Sequence, residues 1–151
     1  MVDEYTRGCV ALEVGRRVAA AGVASVMGAA AAERGAPAHV RSDNGPEFIA
    51  KAIRPWMASA GVAALYVEPG SPWENGYAES FNSKLRDELL GVEEFARLAG
   101  ARALGRAWRR ADDHERPHSA LGYRTPAGFG RVCPRADSAE PPPARGRTCN
   151  D

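Results

Sequence analysis

Helix-like and strand-like segments alternate between residues 16 and 67, and this alternation limits the possible folds more than any other feature of the sequence. An Ala-rich run, 16–34, contains strong helix formers. The segment AHVRS, 38–42, then predicts a short strand, DNGPEF begins a second helix, and AALYV, 63–67, predicts another strand. Because this order is typical of α/β proteins, we predict an α/β fold.

The segments outside this region are less regular. VDEYTRGCVALEV, 2–14, mixes β-branched and aromatic residues and predicts a further strand. We expect the strand at Ala64–Val67 to be covered on both faces, as in buried parallel sheets. Helices are predicted to about residue 114, followed by a turn-rich segment to about residue 130. The Pro- and Arg-containing residues 131–151 have little to bury and predict a disordered tail, which leaves 1–130 as one folded domain.

Composition narrows the functional classes only slightly. The chain has 151 residues, 26% of them charged, and a formal net charge of +1, so the balance of charge alone indicates neither a nucleic acid nor a membrane partner. No apolar run approaches the ~20 residues of a membrane span, and the N-terminus lacks a signal-peptide layout. We therefore predict a soluble, cytoplasmic protein. The three cysteines form no CxxC pair, and Pro117 interrupts the spacing of His114 and His118, so no zinc site is predicted.

Charge is nevertheless concentrated in one segment. Residues 97–110 contain five arginines and no acid: Arg97, Arg102, Arg106, Arg109 and Arg110. Such a cluster is either a solvated helix face or a face that binds phosphates. The sequence leaves both interpretations open.

The segment SPWENGYAESFNSKLRDE, 71–88, begins as a loop and continues as a helix with two different faces. At about 100° per residue, one face carries Glu79, Asn82, Ser83 and Arg86, and another carries Ala78, Phe81, Leu85 and Leu89. A carboxylate in the first turns also complements the helix dipole, which is worth about 0.3 to 1 kcal/mol. Glu79 thus has a structural explanation besides a functional one.

Asp43 is the second acid of interest. It follows a predicted strand and precedes a Gly turn, which is where open α/β sheets bind ligands. It is equally consistent with an Asx turn or a helix cap. If Asp43 and Glu79 point into one crevice, their oxygens could hold Mg²⁺, and Arg86 would lie near a phosphate of bound nucleic acid.

Four stretches in this order resemble the catalytic domain of bacterial insertion-sequence transposases of the retroviral-integrase type. They are VDEYTRGCVALEV, RSDNGPEF, YVEPGSPWENGYAESFNSKLRDELL and RPHSALGYRTPAGF, and they cover residues 2–130. The resemblance implies an RNase H-like fold, which is a mixed sheet with flanking helices and here lacks its first strand. It also implies Mg²⁺ or Mn²⁺ as cofactor, and DNA as partner, both as element ends and as target. The family places 35 residues between its second and third catalytic acids, and 35 residues separate Asp43 from Glu79.

By this resemblance Asp43 and Glu79 are the second and third catalytic, metal-binding acids. Arg86 matches the basic position of the family's helix, and Lys84 and Asn82 beside it are expected to contact DNA. Trp73 could stack on DNA bases, although an aromatic side chain that anchors the loop to the core is the alternative.

The chain departs from the family at two places. The first catalytic Asp lies on a strand that precedes the matching region, and Asp3 is interpreted as a turn or strand-end residue and not as its substitute. Asp112 and Asp113 stand where the family has Tyr and Asn. We therefore expect a truncated transposase domain that is inactive alone. The alternative is a non-catalytic DNA-binding or assembly fragment that uses the arginine cluster and pairs with itself or with an intact transposase.

Overall fold

The computed structural model describes residues 1–17, 19–42, 47–66 and 76–133. The chain divides into two compact units, Glu13–Gly76 and a second unit that joins Met1–Leu12 to Tyr77–Asp151. In the described residues the helices and strands are, in chain order, α1 (Ala20–Arg34), β1 (His39–Ser42), α2 (Glu47–Ala60), β2 (Ala63–Tyr66), α3 (Gly76–Leu85), a π-helical segment (Arg86–Leu90), α4 (Leu98–His114), a 3₁₀ turn (Ser119–Leu121) and α5 (Pro126–Val132).

In the unit Glu13–Gly76, two parallel strands alternate with two helices. β1 pairs with β2 in a register that runs from His39 opposite Ala63 to Ser42 opposite Tyr66. α2 connects the two strands, and α1 packs against α2, where Met27 and Met57 are buried. The predicted α/β alternation is confirmed, although α1 begins at Ala20 and the prediction began it at residue 16.

The prediction that Ala64–Val67 is covered on both faces is wrong for the residues described. Ala63 and Ala64 are exposed, and Leu65 is only half-buried. Among the described residues, β2 pairs with β1. The short side chains of Ala63 and Ala64 do not extend far enough from the sheet to contact a layer packed over it. Val67 lies outside the described residues.

The predicted strand at 2–14 is also wrong. The segment contains one isolated antiparallel bridge, Val2 with Cys9, on either side of a tight turn. The Asp3 carboxylate accepts a hydrogen bond from the Tyr5 backbone N–H at 3.0 Å and another from the Thr6 hydroxyl at 2.7 Å. These local bonds favour a turn over a strand, and they confirm Asp3 as a turn residue.

In the other unit, helices run to His114, as predicted, around a core of Cys9, Phe81, Leu89 and Trp108. A second cluster contains Leu121, Phe129 and Cys133 and packs against Tyr5. α5 begins with a side-chain cap, because the Thr125 hydroxyl accepts a hydrogen bond from the Gly128 N–H at 3.1 Å.

The tail predicted at 131–151 begins inside α5, which ends at Val132, and residues 134–151 lie outside the described residues. In the part of the chain that the structure describes, no helix has both the length and the apolar composition needed to cross a membrane.

Candidate active site

The helix that carries Glu79 has one packed face and one exposed face. Phe81 is buried, and its ring meets the Trp108 ring edge-on, with centroids 5.3 Å apart and an interplanar angle of 78°. Leu85 packs against the same core. Glu79 lies on the opposite side of α3 and is exposed. The division of this helix into two faces is therefore as predicted, and it directs the Glu79 side chain into solvent.

The Glu79 carboxylate has no hydrogen-bond or ion-pair partner among the described residues. It lies in the first turn of α3, where the helix dipole favours a negative charge. An exposed carboxylate with unused oxygens can accept a hard cation such as Mg²⁺ or Mn²⁺. The side chain therefore fits the ligand role, although the dipole would also explain its presence.

The three polar residues predicted to contact DNA differ in position. Asn82 and Arg86 are exposed and, at 100° per residue, lie within about 60° of Glu79 around the helix axis. Lys84 is half-buried and lies about 140° from Glu79, on another side of the helix. The structure thus places Asn82 and Arg86 on the face of Glu79 and separates Lys84 from them.

The end of this helix widens into a π-helical turn. The Gly91 N–H donates to the Arg86 carbonyl at 2.7 Å, five residues back, which is the hydrogen bond of a π-helix. A π-helical turn contains more residues than an α-helical turn, so each residue rotates by a smaller angle around the axis. Leu89 therefore stays on the face that holds Phe81, where it is buried. The widening begins after the α-helical turns that relate Glu79 to Arg86, so it leaves their common face unchanged.

Glu88, in the π-helical segment, links the helix to α4. Its Oε2 accepts a hydrogen bond from Trp108 Nε1 at 2.9 Å and forms an ion pair with Arg116. The Arg116 guanidinium lies 5.8 Å from the centroid of the Trp108 ring, close enough for a cation–π contact. These contacts fix the C-terminal end of the helix that carries Glu79.

Asp112 and Asp113, near the end of α4, are both buried. Asp113 Oδ1 accepts the Cys9 backbone N–H at 2.6 Å, and its Oδ2 lies 3.7 Å from Arg109 Nε. Asp113 therefore attaches the N-terminal segment to α4. Burial raises the pKa of the Cys9 thiol, which the nearby N-terminal ammonium group and Arg109 partly offset.

Asp112 has no exposed surface, and neither of its carboxylate oxygens has a hydrogen-bond partner among the described residues. Its Oδ1 lies 3.6 Å from Arg116 Nη1 and 3.5 Å from His118 Nε2. Arg116 follows the end of α4, so the buried carboxylate holds this arginine against the helix by charge, with His118 beside them.

Two predicted site residues, Asp43 and Trp73, lie outside the described residues. Among the residues that are described, no group of three or more His, Cys, Asp and Glu side chains could hold a metal ion. Of the proposed donors Asp43 and Glu79, only Glu79 lies in the described residues, and within them its carboxylate oxygens have no hydrogen-bond or ion-pair partner.

The sequence analysis did not anticipate the roles of Glu88, Asp112 and Asp113. A signal for them was present, since Arg109 precedes Asp113 by four residues and Asp112 precedes Arg116 by four. Pairs at this spacing are neighbours on a helix. The pairing of Glu88 with Arg116, 28 residues away, has no such local signal.

Known proteins similar to this chain have integrase cores or come from insertion elements. Two family models described as "Integrase core domain" match residues 1–72 and 60–126. The insertion element IS407 uncharacterized 31.7 kDa protein of Burkholderia multivorans is 42% identical over 129 residues, which are 85% of this chain and 47% of that protein. The insertion element IS476 uncharacterized 39.2 kDa protein of Xanthomonas euvesicatoria is 43% identical over 129 residues, 85% of this chain and 37% of its own length. The chain thus spans less than half of these relatives.

The fold resembles that of a solved viral assembly. The simian T-cell lymphotropic virus intasome, in complex with PP2A regulatory subunit B56 gamma, includes a chain that matches with a TM-score of 0.55 and 18% identity. The match covers 84% of this chain and 46% of that one, and it shows the RNase H-like fold. The two integrase-core matches and the insertion-element relatives establish that this chain belongs to the integrase core domain family of bacterial insertion-sequence transposases.

Proposed function

We propose that this chain supplies part of a transposase active site that cleaves and joins DNA at the ends of a mobile element. Asp43 and Glu79 are the proposed ligands of Mg²⁺ or Mn²⁺. The observation that carries the proposal is the Glu79 carboxylate, which is exposed, has no partner among the described residues and shares its helix face with Arg86.

The proposed chemistry consists of two phosphoryl transfers. In the first, a water oxygen attacks a phosphodiester phosphorus and the water loses a proton to solvent; the bond from that phosphorus to the 3′ oxygen of the element end breaks, the phosphate stays on the flanking strand, and the 3′ oxygen takes up a proton to become a hydroxyl. In the second, this 3′-hydroxyl loses its proton to solvent and its oxygen attacks a phosphorus of the target strand; the bond from that phosphorus to the target's own 3′ oxygen breaks, and the displaced 3′ oxygen takes up a proton. Divalent ions would stabilise the attacking and leaving oxygens.

The neighbouring polar residues would position the DNA. Arg86 is exposed near Glu79 and would contact a phosphate with its planar guanidinium group, and Asn82 could bond to the sugar–phosphate backbone. Lys84 faces another side of α3, so its contact would be with a different part of the DNA. Trp73 remains a candidate for stacking on a base.

The proposal is tested in a chimaera in which this chain replaces the matching region of the 31.7 kDa Burkholderia relative, with the relative itself as the positive control. Cleavage of element-end oligonucleotides with Mg²⁺ or Mn²⁺ should be retained in the chimaera. It should be lost in Asp43→Asn and in Glu79→Gln. Asp87→Asn, which removes an exposed acid near the end of the same helix, is the matched control and should remain active.

A chimaera that cleaves DNA equally well with Glu79→Gln would overturn the metal-ligand assignment. For the 151-residue chain alone we expect no cleavage, since it offers only two of the family's three acids. The competing function is a non-catalytic DNA-binding or assembly fragment that pairs with itself or with an intact transposase. It would be supported if the chimaera binds element ends but does not cleave them. In either case we propose that the protein acts in the bacterial cytosol, on nucleoid DNA.

A further inference from the structure

Arg7 has an unusual setting for a charged residue. Its backbone lies in the left-handed region, with a φ of 61°, which costs conformational free energy for a residue with a Cβ. Its guanidinium carbon lies 3.3 Å from the centroid of the Tyr77 ring, over the face of that ring. Its Nε and Nη1 are buried and have no hydrogen-bond partner among the described residues. Within those residues, the contact that places this cation is thus an aromatic ring and not an acid.

Tyr77 lies in the first turn of α3, two residues before Glu79, and is half-buried. The packing of Phe81 on Trp108 begins one turn later, so the Arg7 contact acts on the turn that carries Glu79. Helix stability does not explain a cation at this end, because the helix dipole favours negative charge there. The backbone strain at Arg7 and its unfilled donors also oppose stability. What the contact provides is a fixed direction for the first turn of α3.

A tight turn carries Arg7, and α4 holds that turn in place. Within the turn, the Arg7 N–H donates to the Asp3 carbonyl at 2.8 Å, and the Asp3 N–H donates to the Gly8 carbonyl at 2.9 Å. The next residue, Cys9, donates its N–H to Asp113 of α4 at 2.6 Å. Gly8 is buried, and a Cβ there would lie 3.4 Å from the Asp113 carboxylate. Arg7 therefore extends from a base that is packed closely against α4.

We propose that Arg7 is a positioning residue that fixes the direction of Glu79. It connects α4, through the turn at residues 3–8, to the first turn of the helix that carries this acid. Helix ends open readily unless something packs on them. A residue that orients a metal ligand without touching the metal typically accounts for about 10- to 100-fold in metal affinity. The inference rests on the proposed function for the metal, and it gives a role to VDEYTR, which the proposed site does not use.

The first measurement is amide hydrogen exchange of the 151-residue chain in EDTA. The amides of Ser80 and Phe81 bond across the first turn of α3 and report its opening. Arg7→Met keeps the length of the side chain and removes its charge. It should raise exchange at both amides about tenfold, the factor for about 1.4 kcal/mol, which lies within the range of cation–π contacts. Arg7→Lys keeps a cation for the ring and should exchange at the parent rate.

The second measurement is Mn²⁺ binding by the same chain, followed by the electron paramagnetic resonance signal of free Mn²⁺. Arg7→Met should weaken binding about tenfold, Arg7→Lys should bind as the parent does, and Glu79→Gln should bind more weakly than either. The control is Phe129→Leu, which disturbs the second cluster of the same unit away from α3. It lowers overall stability and should leave both the exchange at the two amides and the Mn²⁺ affinity unchanged.

Unchanged exchange at the two amides in Arg7→Met, or an equal rise in Phe129→Leu, would overturn the proposal. Faster exchange with unchanged Mn²⁺ affinity would overturn it too, since Arg7 would then stabilise the turn without directing Glu79. Should Arg7→Met fail to fold by circular dichroism, Tyr77→Leu removes the ring instead and must give the same two changes. Mn²⁺ binding that Glu79→Gln does not weaken would refute the proposed metal site, and the exchange rates would still decide whether Arg7 holds the first turn.

Discussion

Trp108 Nε1 donates a hydrogen bond of 2.9 Å to the carboxylate of Glu88, and this bond joins α4 to the helix that carries Glu79. The Trp108 ring also packs against Phe81, which lies about two turns closer to Glu79 than Glu88 does. A single side chain thus contacts the Glu79 helix at two points about two turns apart. These two contacts hold the helix against α4.

The first prediction concerns the coupling of these two residues. In a double-mutant cycle of Trp108→Phe and Glu88→Ala, we expect an interaction free energy of about 1 kcal/mol. Hydrogen bonds to charged groups are worth about 1.5 to 3 kcal/mol, and the value is lowered here because Glu88 is partly exposed. Urea unfolding of the four proteins measures it. Glu94→Ala, an exposed acid beyond the π-helical segment, should show no coupling to Trp108→Phe.

The second prediction concerns the buried charge of Asp112. Arg116→Met should destabilise the protein by about 2 kcal/mol, because it leaves a carboxylate of zero exposure with only His118 nearby. Asp112→Asn should destabilise the protein less than Arg116→Met does, because it removes the buried negative charge that Arg116 balances. In the Asp112→Asn background, Arg116→Met should lower the free energy of unfolding only by the amount that the ion pair between Arg116 and Glu88 contributes. Equal costs in both backgrounds, measured by urea unfolding, would show that Asp112 is not held by Arg116.

The sequence predicted those parts of the fold that depend on local patterns. The strands near residues 40 and 65, the helix between them and the two faces of α3 all follow from hydrophobic periodicity and from Gly and Pro punctuation. Asp3 was correctly assigned to a turn because its side chain is suited to bonding its own backbone.

The failures concern interactions between distant segments. VDEYTRGCVALEV has the composition of a strand, but its Cys9 N–H is bound by the Asp113 carboxylate, 104 residues away. No periodic pattern in either segment predicts this hydrogen bond. The ion pair between Glu88 and Arg116 also joins residues far apart in the sequence. Glu88 lies in a π-helical turn, which departs from the 3.6-residue period used to predict helix faces. Glu79 is exposed as predicted, whereas Asp43, as its proposed partner, stays a prediction.

The third prediction tests the π-helical turn. A Cβ at Gly91 would lie 3.1 Å from the Arg86 carbonyl oxygen, which accepts the Gly91 N–H. Gly91→Ala should therefore strain this hydrogen bond and destabilise the protein by about 1 kcal/mol, within the ordinary range for point substitutions. Gly100→Ala is the matched control, because its Cβ meets nothing within 4 Å in α4. That substitution should stabilise the protein by about 0.5 to 1 kcal/mol. Urea midpoints that shift in the same direction for both variants would contradict the strain at Gly91.

The last prediction concerns the pH dependence caused by Cys9. Burial raises the pKa of its thiol above the ordinary value of 9.0, because the thiolate is poorly solvated in the core. Below that value both the folded and the unfolded thiol are protonated, so Cys9 adds no pH dependence. As pH rises above it, the unfolded thiol ionises first, and the free energy of unfolding falls by up to about 1.4 kcal/mol per pH unit until the folded thiol ionises too.

Cys9→Ala removes this titration but keeps every other ionisable group. The difference in unfolding free energy between parent and Cys9→Ala should therefore be constant from pH 7 to 8.5 and should decrease between pH 9 and 10.5. Urea unfolding at a series of pH values, with reducing agent present throughout, measures the difference. Two curves that remain parallel across the whole range would mean that the Cys9 thiol ionises as readily in the folded protein as in the unfolded chain. Its place beside Phe81 and Trp108 would then not exclude water.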